Sequence, residues 1–177
     1  MVFCATLEPA KNEGILMNDV LNLIDKDHIQ TQISISSKKA LFAHMSEHIC
    51  QLHPCLADEE LIYALAQRER LGSTCIGEGI AIPHCRLPHN GKCILSLYTL
   101  AEPLSYNDDN ETVDIVALLL VPEDATDTHI ELLSQLAHLL FKPELRSELK
   151  SAKSNTDAFR ALFQDAPVIL EQKAATL

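Results

Sequence analysis

Positive charge is scarce in this chain: 14 Lys and Arg stand against 25 Asp and Glu, a formal net charge of −11 over 177 residues. A surface that poor in cations does not neutralise phosphates, which excludes nucleic acid as a partner and argues against anionic membrane surfaces. It suits docking to a basic protein face. Long apolar runs are also missing. None approaches the roughly 20 residues that a membrane-spanning helix needs, so no membrane insertion is expected. The N-terminus has no basic segment followed by a hydrophobic one, so no secretion signal is read there. The six cysteines show no framework spacing, and they are read as reduced thiols of a cytoplasmic protein. Repeats and low-complexity linkers are absent too. At this length the chain fits one domain with a core of its own.

Glycine is the scarcity that says most. There are five in all, and three of them fall between Leu71 and Arg86, in Leu71-Gly72-Ser73-Thr74-Cys75-Ile76-Gly77-Glu78-Gly79-Ile80-Ala81-Ile82-Pro83-His84-Cys85-Arg86. Backbone freedom concentrated in one place implies a shaped turn. Ile80 to Ile82 reads as a brief strand that Pro83 stops, since proline has no N–H for a ladder. His84 is therefore expected at a strand end, held firmly yet within reach of solvent.

Around this stretch the periodicity predicts a helix from Met17 to Ile24 and an alternating strand from His28 to Ile35. A helix capped by Ser36 or Ser37 runs to about Leu52, and another opens on Asp58-Glu59-Glu60 and closes on Arg68-Glu69-Arg70. Leu87 to Gly91 reads as a turn. Cys93 to Leu100 and Thr112 to Val121 are the two strongest strands. The second is apolar almost throughout, as a strand covered on both faces should be. Beyond Pro122, a helix from about Thr128 to Phe141 turns Ile130, Leu133, Leu136, Ala137 and Leu140 inward. A further helix opens on Pro143, and a last one is capped at Thr156-Asp157. A few strands among about five or six helices make the fold α/β, a single domain. The expected division is an N-terminal tail over 1–14, a domain over 15–166 and a C-terminal tail over 167–177.

From the residues alone, His84 is the candidate nucleophile. A neutral imidazole attacks phosphorus readily, and imidazole ordinarily titrates near pH 6.5. Phosphoryl transfer then asks the protein mainly for position and charge compensation. The glycine-rich turn offers backbone N–H groups, Ser73 and Thr74 offer hydroxyls, and Arg68 offers a cation. His129 falls in a helix first turn, where the dipole favours an anion. A competing pattern is His84-Cys85-x3-His89-x3-Cys93, with Cys50-x2-His53-x-Cys55 beside it, in which thiols and imidazoles supply the ligand types zinc prefers. Neither has the paired Cys-x2-Cys spacing of structural zinc sites, and the expected metal and cofactor complement is none.

Three segments together carry a resemblance: Arg68 to Thr74, then Gly77-Glu78-Gly79-Ile80-Ala81-Ile82-Pro83-His84, then Leu119-Leu120-Val121-Pro122 with Thr128-His129. From about Leu16 to Asp165 the chain resembles the enzyme IIA domain of the bacterial phosphoenolpyruvate-dependent phosphotransferase system, of the fructose/mannitol type. Within that family it is most similar to the stand-alone nitrogen-regulatory members. The resemblance implies a mixed sheet of about five strands with helices on both faces. It implies that His84 accepts a phosphoryl group, as tele-phosphohistidine, from the phosphohistidine of HPr or its nitrogen-branch relative. It also implies that His129 stabilises that group, that Arg68 compensates its charge, and that regulatory targets such as kinases or potassium-transport components respond. The sequence departs from the family pattern at one position, with Cys85 where Gly is expected after the active histidine. Two other functions are open at this stage: a sugar-specific IIA subunit passing phosphate to a IIB domain, and a non-catalytic binding module with a Cys/His metal site.

Overall fold

The apolar strand over residues 112–122 is the spine of the molecule, because side chains alternate across a strand and nearly all of its are hydrophobic. In the computed structural model, which describes residues 20–88, 92–123 and 128–164 (the backbone only for Thr128 and His129), Ile115, Ala117, Leu119 and Val121 enter one hydrophobic core. Val116, Leu118 and Leu120 enter a second core on the opposite face. A strand with both faces buried needs helices on both sides, and the chain supplies them.

After a short turn at Lys26–His28 come β1 (Ile29–Ile33), α1 (Lys38–Leu52), α2 (Asp58–Arg70), β2 (Cys75–Gly77), β3 (Ile80–Ala81) and β4 (His84–Leu87). Then follow β5 (Ile94–Ser105), β6 (Thr112–Pro122), α3 (Thr128–Leu140), α4 (Pro143–Ser151) and α5 (Asn155–Leu162). The six-stranded sheet has the order β1-β5-β6-β3-β2, with β4 also paired to β6. It is mixed: the β5–β6 and β2–β3 pairs are antiparallel, whereas the β1–β5, β3–β6 and β4–β6 pairs are parallel. The first core takes Leu132, Leu136, Leu139 and Leu140 of α3, Leu145 and Leu149 of α4, and Ala158, Ala161 and Leu162 of α5. The second takes Leu41, Phe42, Met45 and Ile49 of α1 with Leu61 and Leu65 of α2.

Several local expectations match in detail. Ser37 caps α1, its hydroxyl accepting from the Ala40 N–H at 3.1 Å. Pro143 opens α4, and Asp58, Glu59 and Glu60 fill the first turn of α2. Val20 to Asn22 are helical; residues 17–19 of that expected helix, the tails over 1–14 and 167–177, and most of the Leu87–Gly91 turn lie outside the described residues.

Four readings are corrected. Strand β5 runs past Leu100 to Ser105, carried through exposed Ala101-Glu102-Pro103 by a register shift between Thr99 and Leu104; such an irregularity lets a ladder pass a proline. Helix α5 begins at Asn155, with Ser154 rather than Thr156-Asp157 as its cap: the Asp157 N–H donates to the Ser154 hydroxyl, which donates in turn to the Asp157 carboxylate. On helix α3, Leu136 and Leu140 enter the first core and Leu133 and Ala137 pack against it as expected, but Ile130 is 59% exposed, and Leu132 and Leu139, outside the expected face, are buried. That helix has apolar residues on more than one stripe, so periodicity alone leaves its rotation open.

The fourth correction concerns Pro83. The chain does not leave the sheet there. Ile80 and Ala81 face Ile115 and Val116, and His84 and Cys85 face Leu119 and Leu120, so the register is the same on both sides of the proline. The Pro83 carbonyl still accepts from the Leu119 N–H at 3.0 Å. Proline removes a donor but keeps its acceptor, and His84 opens a new strand instead of closing an old one.

Candidate functional site

Two elements bring the site together. Strand β4 starts at His84, immediately after Pro83, and α2 ends with Arg68 in its last turn. The Nδ1 of His84 lies 2.8 Å from the Ile82 carbonyl oxygen. A carbonyl can only accept, so Nδ1 carries the hydrogen and Nε2 keeps its lone pair. The Nε–H of Arg68 donates to that Nε2 at 3.0 Å. The imidazole is thus fixed in one tautomer by its own backbone, with its nucleophilic nitrogen turned toward a cation. His84 is half-buried, anchored on one side and within reach of solvent.

Arg68 is itself held. One terminal guanidinium nitrogen donates to the Gly72 carbonyl at 3.0 Å, and the loop that carries Gly72 closes the helix through Leu71 N–H to Arg68 O and Gly72 N–H to Glu69 O, both 3.2 Å. Beside the site Leu71 is 86% exposed, an apolar side chain standing in solvent on the same loop. His129 is the second residue of α3, the helix that follows β6, and β6 is the strand against which β4 pairs.

A family model described as "Phosphoenolpyruvate-dependent sugar phosphotransferase system, EIIA 2" matches residues 22–165. The chain belongs to that family. Over 117 residues it is 38% identical to a nitrogen regulatory protein of Pseudomonas aeruginosa, covering 66% of this chain and 76% of that one. It superposes on the crystal structure of the nitrogen regulatory protein IIA-Ntr from Neisseria meningitidis with a TM-score of 0.73 at 30% identity, covering 81% of this chain and 98% of the other. The 2-O-alpha-mannosyl-D-glycerate-specific EIIABC component of Escherichia coli is 28% identical over 175 residues, which span 90% of this chain and 27% of that longer protein.

Within this EIIA 2 domain the expected residues separate into groups. His84 and Arg68 meet. Thr74 is close in sequence but differently occupied: it is 4% exposed, its hydroxyl donates to Glu69 Oε2 at 2.6 Å and lies 2.9 Å from the Tyr106 hydroxyl. Ser73 accepts from the Cys75 N–H at 3.2 Å. Both hydroxyls therefore serve the loop's own geometry here. The glycine-rich turn is displaced more clearly. Gly77, Glu78 and Gly79 all have φ between 55° and 90° and form the β2–β3 hairpin turn, at the far end of the strand from His84. At about 3.3 Å per strand residue, this puts the turn roughly 15 Å away, so it offers His84 no amide cradle.

Cys85 does not narrow the site. Alternation along β4 turns it away from His84 and into the core, where it is 8% exposed and burial pushes its thiol pKa up to about 12. The Cys/His patterns also come apart: among the described residues no group of three or more His, Cys, Asp or Glu is placed to hold a metal ion, and His89 lies outside them. His53 instead meets His28, Nε2 to Nε2 at 2.9 Å. Those two rings, with Cys55 and Cys93, line a cavity of about 640 Å³ that includes neither Arg68 nor His84. His44 and His48 are structural, the first bonded to Gln30 at 2.6 Å. His48, which is buried, bonds to the Tyr98 hydroxyl at 2.9 Å and the Asp27 carbonyl at 3.0 Å.

The sequence reading passed over Glu69. Its side chain is 8% exposed and accepts from Thr74 and from Lys38. A signal was present, since a carboxylate in the last turn of a helix sits at the wrong end of the dipole and needs some other compensation.

Proposed function

We propose that this EIIA 2 domain is a phosphoryl acceptor and regulator of the nitrogen-regulatory kind, working in the cytoplasm, with Nε2 of His84 as the acceptor atom. The single observation that carries this is the tautomer: the Ile82 carbonyl holds the hydrogen on Nδ1, which leaves Nε2 as the nitrogen with a lone pair. The donor is a phosphohistidine on an HPr-type carrier. A bond forms between Nε2 and phosphorus while the carrier's own N–P bond breaks, its electron pair returning to the carrier's imidazole. Each ring keeps its other N–H. The phosphorylated His84 ring then carries positive charge, which the Ile82 carbonyl stabilises through the Nδ1–H.

Arg68 has two successive parts in this reading. At rest its Nε–H caps the lone pair. On arrival of the phosphoryl group the guanidinium, with its fork of N–H donors, moves onto the phosphoryl oxygens and offsets their charge. His129, in the first turn of α3, supplies a further donor at the positive end of a helix. Thr74 and Ser73 shape the loop and do not contact the phosphate. Regulatory targets read the change in charge, about two negative charges at one spot on the surface.

A second reading, a sugar-specific IIA subunit passing phosphate to a IIB domain, is favoured by the similarity to the E. coli EIIABC component. Incubation with a phosphorylated HPr-type carrier tests the acceptor. Acid-labile label on the wild type and none on His84→Ala supports it, and equal labelling of both rejects it. Rapid onward transfer to a sugar-specific IIB domain would favour the second reading.

A further inference from the structure

The polar groups behind the site form a connected chain that phosphoryl acceptance by itself does not explain. Glu69 Oε1 is 3.1 Å from the Lys38 ammonium. Glu69 Oε2 accepts from the Thr74 backbone N–H at 3.2 Å and from its hydroxyl at 2.6 Å. A carboxylate accepts only, so the Thr74 hydroxyl spends its hydrogen on Glu69 and accepts from Tyr106, whose hydroxyl lies 2.9 Å away. Burial pushes the pKa of Tyr106 up, which keeps it a donor. The Lys38 ammonium also sits 4.7 Å from the centre of the Tyr106 ring. A buried carboxylate is costly unless its oxygens are satisfied and its charge is met, and both conditions hold here.

The position of this network matters more than its strength. Glu69 is the residue after Arg68, and the loop it fixes at Thr74 is the loop whose Gly72 carbonyl holds the Arg68 guanidinium. Three elements (the start of α1 through Lys38, the end of α2, and the residue after β5 through Tyr106) converge on one short loop, and that loop aims one guanidinium at one imidazole nitrogen. We infer that Glu69 is a positioning residue for the Arg68–His84 pair, acting through Thr74 to set where the Arg68 guanidinium stands when the phosphoryl group arrives. The inference rests on the acceptor reading above. It assigns Thr74 to the support of the site.

The consequence is a loss of rate more than of affinity for the carrier, because a misplaced catalytic group costs transition-state stabilisation while the docking face is unchanged. The test uses the full chain, rapid-quench transfer from a phosphorylated HPr-type carrier, and the NMR signal of the Arg68 Nε–H. In Glu69→Gln the saturating rate is expected to fall about tenfold, with the half-saturating carrier concentration held within about twofold. The Arg68 Nε–H signal should lose its protection from solvent exchange. Thr74→Ser, which keeps the hydroxyl, should stay within about twofold of wild type, and Thr74→Val should repeat the Glu69→Gln loss; this pair decides the matter should Glu69→Gln fail to fold. Wild-type rates and an unmoved Arg68 signal in both Glu69→Gln and Thr74→Val would overturn the inference. The NMR arm separates the two ideas: a wild type that takes no label sinks the acceptor reading, while the Arg68 signal still reports whether Glu69 holds the pair together.

Discussion

Arg68 points its Nε–H at the bare Nε2 of His84, 3.0 Å away, while a carbonyl two residues before the histidine holds the other ring nitrogen at 2.8 Å. In the proposed acceptor role, the imidazole is therefore oriented before any partner arrives, and a cation already stands where the negative charge would gather. Hydrogen bonds to charged groups contribute about 1.5–3 kcal/mol, and at 1.36 kcal/mol per factor of ten this is roughly 10–100-fold in rate. Arg68→Ala should slow phosphoryl acceptance by that range. Arg68→Lys should recover only part of it, since an ammonium cannot bond Nε2 and the Gly72 carbonyl with one planar fork. Single-turnover labelling from a phosphorylated carrier measures both, and a Lys variant equal to wild type would mean that charge alone suffices.

The buried thiol next to His84 gives a second expectation. With its pKa pushed up to about 12 by burial, Cys85 should resist alkylation by iodoacetamide at pH 8 in the native protein, while exposed Cys55 reacts. Mass spectrometry of the modified peptides reads this directly. Cys85→Ala should cost about 1 kcal/mol through the small cavity it leaves and leave the rate of labelling unchanged. Slowed labelling in a variant of normal stability would place the thiol in the chemistry after all.

Gly79 tests the separation between hairpin and site. Its φ of +78° disfavours any side chain, and an added Cβ would stand 2.8 Å from an Asp114 carboxylate oxygen, the group that Lys150 pairs with. Gly79→Ala should therefore destabilise the fold by about 1–3 kcal/mol, seen as a lower midpoint of thermal unfolding. Labelling at His84 should persist at the wild-type rate below that midpoint. A rate loss there would tie the turn to the site.

Acid should weaken the fold through two histidines. Burial lowers the pKa of His48, and burial followed by the neighbouring His53 lowers that of His28. Both are bases that the folded state keeps neutral, so the unfolded chain takes up protons first as pH falls. The stability they contribute is fully present above about pH 6.5, the ordinary histidine value, and is lost as pH drops from there toward their lowered folded values. Urea unfolding should show a midpoint that is flat from pH 8 to 7 and declines below pH 6.5. His48→Gln should flatten the decline, and a variant as steep as wild type would exclude His48 as a contributor.

Much of this protein was legible in the order of its residues. The strand over 112–122 announced that it is buried on both faces because it has almost no polar side to show. Ser37, Asp58 and Pro143 marked helix starts because capping and first-turn chemistry are local, settled within four residues. His84 stood out because proline and glycine crowd one stretch. Distance across the fold is what the sequence did not hold. Nothing local told that the ladder resumes beyond Pro83, since the donors that decide it belong to β6. The apolar residues of α3 allow more than one rotation, and only the sheet beneath chooses. The glycine turn and the histidine are neighbours in sequence, yet the four residues between them, Ile80 to Pro83, hold them apart, because a strand turns sequence proximity into length. Glu69 looked like one more surface charge until Lys38, Thr74 and Tyr106, drawn from elements far apart along the chain, closed around it. Propensity and pattern are short-range and can be read residue by residue; the partner of a buried polar group is chosen by packing, and only the folded molecule names it.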